Sequence, residues 1–362
     1  MKHDTLHILY SGLGGHASVV FSLLGGATEG SGKKSAAFFG IEPMLDQYKK
    51  ECRASNISFK EIVKRRGYDR SAKKILDDWI ETNSPDSIVV HIPQVLGSAL
   101  RWKKKNPKCK VVTVEHHANK LKSFIDWYYS RRSMFYSDYV VFLTEPYQKE
   151  VKSKLGKAFD NDKSVIIPNG VDIDKFTPVQ IKKKFTGNFG MCSRLSDQKD
   201  MDTLLKAFGK IQKIDEQKSF RLFLAGDGPQ KDELTDLAKK VCEPGSVVFL
   251  GLLDKERLVD FYQMIDIYVH ATLYETMSTS VLEAMSCALP IVATDVKGMS
   301  TILPPGNGVL VKPKDIDGLY SAMQALLENQ ESAASMGSSA RELVINTYSS
   351  RLAAARFNSL LH

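Results

Sequence analysis

Residues 272 to 298 read TLYETMSTSVLEAMSCALPIVATDVKG, following the β-rich run IDIYVH (265–270) and including the strand-like PIVAT at 290–294. Ser278, Thr279 and Ser280 are residue types that cap helices, and they stand directly before VLEAMSCAL, an apolar run that stops at Pro290. The order predicts strand, loop, helix and strand, with the helix beginning near Ser280. Its first backbone N–H groups have no partner within the helix and, with the positive end of the dipole, form an anion site. Glu275 falls in the loop ahead of it and Glu283 in its first turn, so two carboxylates flank a run of small hydroxyl residues. That combination suits a sugar and a diphosphate. Ser280-x-x-Glu283 also has the spacing of a capping box, in which the carboxylate serves only the backbone, and both readings of Glu283 stand at this point.

The grammar repeats along the chain. LHILY, AAFF, SIVVHI, VVTV, YVVFL and SVIIP read as strands in the first half, and NFGMC, RLFLAG, VVFLG, IDIYVH, PIVAT and GVLV in the second, with helical stretches between them. Near-continuous apolar strands separated by helices predict parallel sheets covered on both faces, hence an α/β protein of two doubly wound, Rossmann-like domains facing across a cleft. The turn-rich and then lysine-rich PNGVDIDKFTPVQIKKKF places the boundary near Pro178. The expected division is 1–178, 179–345, and an amphipathic C-terminal helix, 346–362, that can pack back on the first domain.

Composition excludes several classes. With 43% hydrophobic and 25% charged residues over 362 positions, the chain is globular and long enough for two cores. Its five cysteines, Cys52, Cys109, Cys192, Cys242 and Cys287, lack C-x-x-C or metal-type spacing, which predicts reduced thiols in a cytoplasmic protein. Asp4 and His7 interrupt the segment where an export signal needs an apolar core, and no apolar run reaches membrane-spanning length. Residues 1 to 180 hold 29 Lys and Arg against 20 Asp and Glu, and the remainder 21 against 22, so the first half carries the whole positive excess. Lys64-Arg65-Arg66, Lys73-Lys74, the lysines at 103–105, 108 and 110, and Arg131-Arg132 are its clusters, with Trp102 and Trp127-Tyr128-Tyr129 among them. The partner this face suits is an anionic membrane surface or an anionic acceptor, and no nucleic acid is expected.

Ligands of doubly wound sheets bind where strand ends feed helix N-termini. Gly12-x-Gly14-x-x-Ala17 follows the first strand and satisfies a dinucleotide fingerprint, with Glu42 as a candidate ribose ligand, so an NAD-dependent oxidoreductase is one reading. After NFGMC, Arg194 and Lys199 are spaced to converge on a diphosphate, arginine as a fork and lysine as a point charge. In Ala225-Gly226-Asp227-Gly228-Pro229 the glycines serve a turn and Asp227 reads as a cap.

The GG turn, IPNGVDIDKF, SRLSDQKD, LAGDGP and YETMSTSVLEAMSCALPIVATDVKG occur in a fixed order. Together they resemble the retaining glycosyltransferases of family 4, which have the GT-B fold, and the resemblance covers most of residues 5 to 311. It implies that Glu283 binds the ribose of a nucleotide donor and Glu275 the donor sugar. Backbone around Met277, Ser278, Thr279 and Ser280 would line sugar and diphosphate, Arg194 and Lys199 would clamp the diphosphate, and Gly14 and Gly15 would approach the phosphate from the first domain. The family's histidine after a mid-domain strand corresponds to His116, or to its neighbour His117. Thr276 and Met277 replace the glycine and the phenylalanine or leucine common in members, which leaves the sugar open. Ser278, where many members have glycine, resembles enzymes of bacterial O-antigen and capsule assembly.

The expected activity is therefore transfer of a hexose or N-acetylhexosamine from UDP to a hydroxyl of a glycan acceptor, one carried on lipid diphosphate at the inner face of the plasma membrane. No metal or other cofactor is expected. Asp172-Ile173-Asp174 falls in the family's linker motif, and Asp315-Ile316-Asp317 lies outside any recognised site. A GT-B epimerase acting on a nucleotide sugar is a nearer alternative than the oxidoreductase.

Overall fold

A computed structural model describes residues 3–12, 15–25, 32–179, 185–214 and 219–361. Gly14 and the lysines 182–184 lie outside them. The chain forms two compact units, residues 1–170 with 350–362, and residues 171–349. The boundary thus falls ahead of Pro178. The last segment divides differently from the expected 346–362: residues up to Thr347 finish the helix Gln330–Thr347, and only the helix Ser350–Leu361 joins the first unit.

The first unit holds strands β1 (Thr5–Leu9), β2 (Lys34–Gly40), β3 (Ser58–Val63), β4 (Ser87–Val90), β5 (Lys110–Glu115), β6 (Tyr139–Phe142) and β7 (Ser164–Ile166), parallel and in the order 3-2-1-4-5-6-7. Alternate residues face opposite sides, as a pleated strand requires. Ala37 and Phe39 join Leu76 and Ile80 in one core, while Ala36 and Phe38 join Val20, Phe21 and Tyr48 in another. Strand β3, SFKEIV, escapes the sequence reading because it is an edge strand: Lys60 and Glu61 interrupt its apolar residues, and only Ile62 is buried. The helix Ser350–Leu361 packs on the helix Gly15–Gly25 through a face bearing Ala353, Ala354, Phe357 and Leu361.

The second unit holds β8 (Phe189–Cys192), β9 (Leu222–Ala225), β10 (Val247–Gly251), β11 (Ile267–His270), β12 (Ile291–Thr294) and β13 (Val309–Val311), parallel and in the order 10-9-8-11-12-13. One of its cores runs from Phe189 and Met191 through Leu204, Phe208 and Leu224 to Met323. Each sheet winds outward both ways from a central pair, β1 beside β4 and β8 beside β11. Such switch points leave a crevice at the strands' carboxyl ends that no crossover helix covers.

Candidate functional site

At the second switch point the loop after β8 carries Arg194 and Lys199, and the loop after β11 carries Glu275. The two loops are stitched together: Leu273 N–H donates to the Gln198 carbonyl (2.8 Å), and Asp200 N–H to the Ala271 carbonyl (3.2 Å). Lys199 Nζ consequently lies 2.7 Å from Glu275 Oε2, and the two side chains keep only 14% and 17% of their exposure. Glu275 Oε1 accepts from the Thr276 N–H at 3.1 Å.

His270, fully buried at the end of β11, completes this cluster, with Nε2 3.4 Å from Lys199 Nζ and 3.5 Å from Glu275 Oε2. Its other nitrogen, Nδ1, is 3.3 Å from the Tyr268 hydroxyl, which in turn lies 3.2 Å from the Cys192 carbonyl. Burial, reinforced by the Lys199 ammonium, lowers the His270 pKa to about 4, so its imidazole is neutral. Burial works to raise the Glu275 pKa, but Lys199 and His270 outweigh it and hold the carboxyl well below the usual range. The cluster therefore presents a fixed carboxylate and a fixed ammonium side by side. Sequence inspection missed His270 because a histidine at the end of an apolar run looks like core.

The helix begins at Thr279, beside the predicted start near Ser280. It spans Thr279–Ser286 with Ser278 as N-cap, whose hydroxyl accepts from Val281 N–H at 3.3 Å. The capping-box reading of Ser280 and Glu283 is thereby corrected: Ser280 lies inside the helix, and its hydroxyl meets that of Ser278 at 3.1 Å. Glu283 lies one turn further on, with Oε2 2.7 Å from the Tyr262 hydroxyl, which is also 3.1 Å from the Ser280 carbonyl. One hydroxyl proton cannot serve both acceptors. A protonated Glu283 resolves the conflict by donating to Tyr262, which then donates to Ser280. Burial, partly offset by Tyr262, raises the Glu283 pKa to about 7. Met277 and Thr276 are buried, and Thr279 and Ser280 are half-buried.

Glycines let the supporting loops approach. A Cβ on Gly298 would stand 2.3 Å from the Glu275 carbonyl oxygen, and one on Gly226 (φ +126°) 1.9 Å from that of Ser193. The GDGP turn thus backs the loop that carries Arg194, and Leu195 N–H donates to the Asp227 carbonyl at 3.0 Å. Arg194 itself is exposed. Asp227 Oδ1 accepts from Gly228 N–H (2.8 Å), a turn role. Behind the helix Thr279–Ser286, the Arg341 guanidinium donates to the Ser286 carbonyl and to that of Phe176.

Both Asp-x-Asp sequences serve local structure. Asp172 accepts from Asp174 and Lys175 N–H groups at 3.2 and 3.1 Å, Asp315 caps the helix Ile316–Glu328, and Asp317 pairs with Lys210. Among the described residues no group of three or more His, Cys, Asp or Glu is arranged to hold a metal ion.

In the first unit, Gly15 opens the helix Gly15–Gly25. The Glu42 carboxylate lies over Gly12, where a Cβ would come within 1.9 Å of Oε2. His116 Nε2 is 2.9 Å from His91 Nδ1, whereas the His117 side chain is half exposed, with Nδ1 3.8 Å from Asp126 Oδ2. The five cysteines are unbridged, and no helix among the described residues is long and apolar enough to cross a membrane.

Two parallel-sheet α/β units, each with a switch-point crevice, define a GT-B architecture. Anabaena HepE, solved with UDP and glucose, superposes with a TM-score of 0.82 over 99% of both chains at 17% identity. The model of glycosyl transferases group 1 matches residues 173–343, and that of glycosyltransferase family 4 matches residues 15–175. The chain thus carries a glycosyltransferase family 4 domain followed by a glycosyl transferases group 1 domain. It is 29% identical over 265 residues to an uncharacterised glycosyltransferase of Methanocaldococcus jannaschii, covering 68% of this chain and 65% of that one. It is 27% identical over 213 residues to the GDP-mannose-dependent monoacylated alpha-(1-6)-phosphatidylinositol monomannoside mannosyltransferase of Corynebacterium glutamicum, covering 54% and 55%. The matches thus span about half to two thirds of these curated relatives. The family sets the glycosyltransferase reading above the NAD-dependent one.

Proposed function

We propose that the protein is a retaining glycosyltransferase that moves a hexosyl or N-acetylhexosaminyl group from UDP to a hydroxyl of a glycan acceptor in polysaccharide assembly. The observation that carries this reading is the Lys199–Glu275–His270 cluster beside the Ser278-capped helix. It sets an ammonium and free helix N–H groups where a diphosphate would sit, and a fixed carboxylate where sugar hydroxyls would donate. Glu283, one turn along, would accept from ribose hydroxyls. The UDP and UDP-glucose complexes of HepE support a uridine donor by analogy.

Retention by double displacement would need a basic carboxylate as nucleophile. Glu275 suits that poorly, because Lys199 and His270 depress its basicity and Thr276 N–H occupies its second oxygen. Departure and attack on the same face, with a donor phosphate oxygen assisting the acceptor hydroxyl, fits better. Lys199 and Arg194 would neutralise charge on the leaving diphosphate, which removes the need for a metal. A glycosyl adduct trapped on Glu275 would overturn this mechanism.

The acceptor side rests on the basic first unit. Arg65, Arg70, Lys73, Lys74 and Arg101 line a cavity of about 860 Å3 with Asp69 and Asp77. Nearby charge includes Arg132, on the helix Phe124–Tyr136 whose Phe124, Ile125, Tyr128 and Tyr136 are exposed by 88%, 63%, 50% and 55%. Cations beside exposed apolar side chains suit an acceptor carried on an anionic lipid diphosphate, and docking at the cytoplasmic face of the membrane.

Thermal shift against UDP, GDP and ADP tests the donor, since ligand bound to the native state raises stability with concentration. UDP should stabilise selectively, and sugar transfer to acceptor should survive EDTA. Stabilisation by GDP alone, or epimerised donor formed without acceptor, would replace the reading. Co-sedimentation with anionic but not neutral vesicles, lost in high salt, tests the membrane part.

A further inference from the structure

Three imidazoles form a line across the switch point of the first sheet. His7 lies on β1, His91 follows β4 and His116 follows β5, and these strands are neighbours. His7 Nδ1 is 3.0 Å from His91 Nε2, and His91 Nδ1 is 2.9 Å from His116 Nε2. The ring planes differ by 21° and 28° with centroids 5.3 and 5.1 Å apart. With nitrogens so much closer than centroids, near-parallel rings meet end to end, which suits in-plane N–H···N bonds. His7 and His91 are buried, at 4% and 1% exposure, while His116 is half-buried.

We infer that these histidines act as a tautomer relay in which His91 is a positioning residue, orienting His116 and coupling the protonation of its outer nitrogen, Nδ1, to the tautomer of buried His7. A neutral imidazole brings one N–H and one lone pair, and each of the two hydrogen bonds needs one of each. Only two arrangements satisfy both bonds. If all three carry the proton on Nδ1, His7 donates to His91, His91 donates to His116, and His116 Nδ1–H is a donor. If all three carry it on Nε2, donation runs the opposite way and His116 Nδ1 is an acceptor. A mixed set turns two protons or two lone pairs towards each other and sacrifices a buried hydrogen bond.

Burial lowers the His7 pKa to about 4, so His7 stays neutral at neutral pH. An imidazolium at His116 would donate through Nε2, which sets the direction of donation of the second arrangement, while its Nδ1 would then also be a donor. The relay thus links what His116 offers a ligand hydroxyl, donor or acceptor, to a concerted change of three rings. The role of His116 in transfer rests on the proposed function; the relay does not.

Long-range 1H–15N correlation on the histidine-labelled full chain at neutral pH reads the tautomers directly. The expected result is one shared tautomer at His7, His91 and His116; a mixed set, or averaged shifts at His116, overturns the relay. In His91→Phe, His116 should shift to an average of both tautomers, and an unchanged single tautomer in the folded variant also overturns it. Should that variant fail to fold, His7→Gln reports the same coupling, because His116 should change its tautomer population without having touched residue 7. In His91→Phe, kcat should fall with donor KM unchanged. Full kcat beside a confirmed relay would remove the transfer role of His116 and leave the relay standing.

Discussion

Lys199 Nζ and Glu275 Oε2 meet at 2.7 Å although 76 positions separate them in sequence. Truncating one partner of a largely buried pair leaves a charge without compensation, which costs about 3 kcal/mol at the lower end. Lys199→Ala and Glu275→Gln should each lower the denaturation free energy, and the double variant should lose less than their sum. Additive losses in a double-mutant cycle would show that the pair contributes no coupling.

Arg194 is exposed on the same loop. Arg194→Ala should lose roughly 100- to 1000-fold in kcat, the usual loss for one preorganised donor to developing charge. Wild-type turnover at saturating donor would remove the assignment.

Glu283 predicts an unusual pH dependence. Burial raises its pKa from 4.5 to about 7, so between these values the folded chain holds a proton that the unfolded chain has released. Its contribution to stability is present below about pH 4.5 and is lost as pH rises through about 7, by roughly 3 kcal/mol at most. Glu283→Gln should flatten that slope in denaturation measured from pH 5 to 8. Ribose hydroxyls donate best to the carboxylate, so UDP should bind about tenfold tighter at pH 8 than at pH 6, releasing a proton. Calorimetry in buffers of different ionisation enthalpy reads that proton directly.

His270 has the opposite sign. Its pKa is lowered from 6.5 to about 4, so in that window the unfolded chain binds the extra proton and stability falls as pH drops. His270→Gln should lose this acid sensitivity and weaken diphosphate binding by loosening Lys199. Unchanged acid denaturation in the variant would mean that His270 is not held neutral.

Gly298 permits a backbone approach that a methyl group would block, with the Glu275 and Thr276 carbonyl oxygens 2.3 and 2.7 Å from the position of a Cβ. Gly298→Ala should displace the Glu275 loop and cost about 1–3 kcal/mol. Donor affinity should fall more than in Gly245→Ala, where a Cβ meets nothing within 4 Å although φ is +76°. Equal donor affinity in the two variants would separate the loop from the site.

Apart from the edge strand β3, the order of strands and helices, the two-unit plan and the helix at 279–286 were legible in the chain because they depend on local runs: continuous apolar strands, hydroxyl caps, a proline stop. Glu275, Glu283, Arg194 and Lys199 stood out because charged residues at strand ends and helix starts are conspicuous. His270, Tyr262, Tyr268, His7 and His91 did not, since each sits in an apolar run and looks like core. Strand order decided their meaning. Placing β8 against β11 brings Lys199 to His270 and Glu275, and placing β1, β4 and β5 side by side lines up three imidazoles. Sequence set which side chains were available, whereas contacts between residues tens of positions apart, and the burial that shifts their pKa values, arose only when the sheets wound outward from their centres.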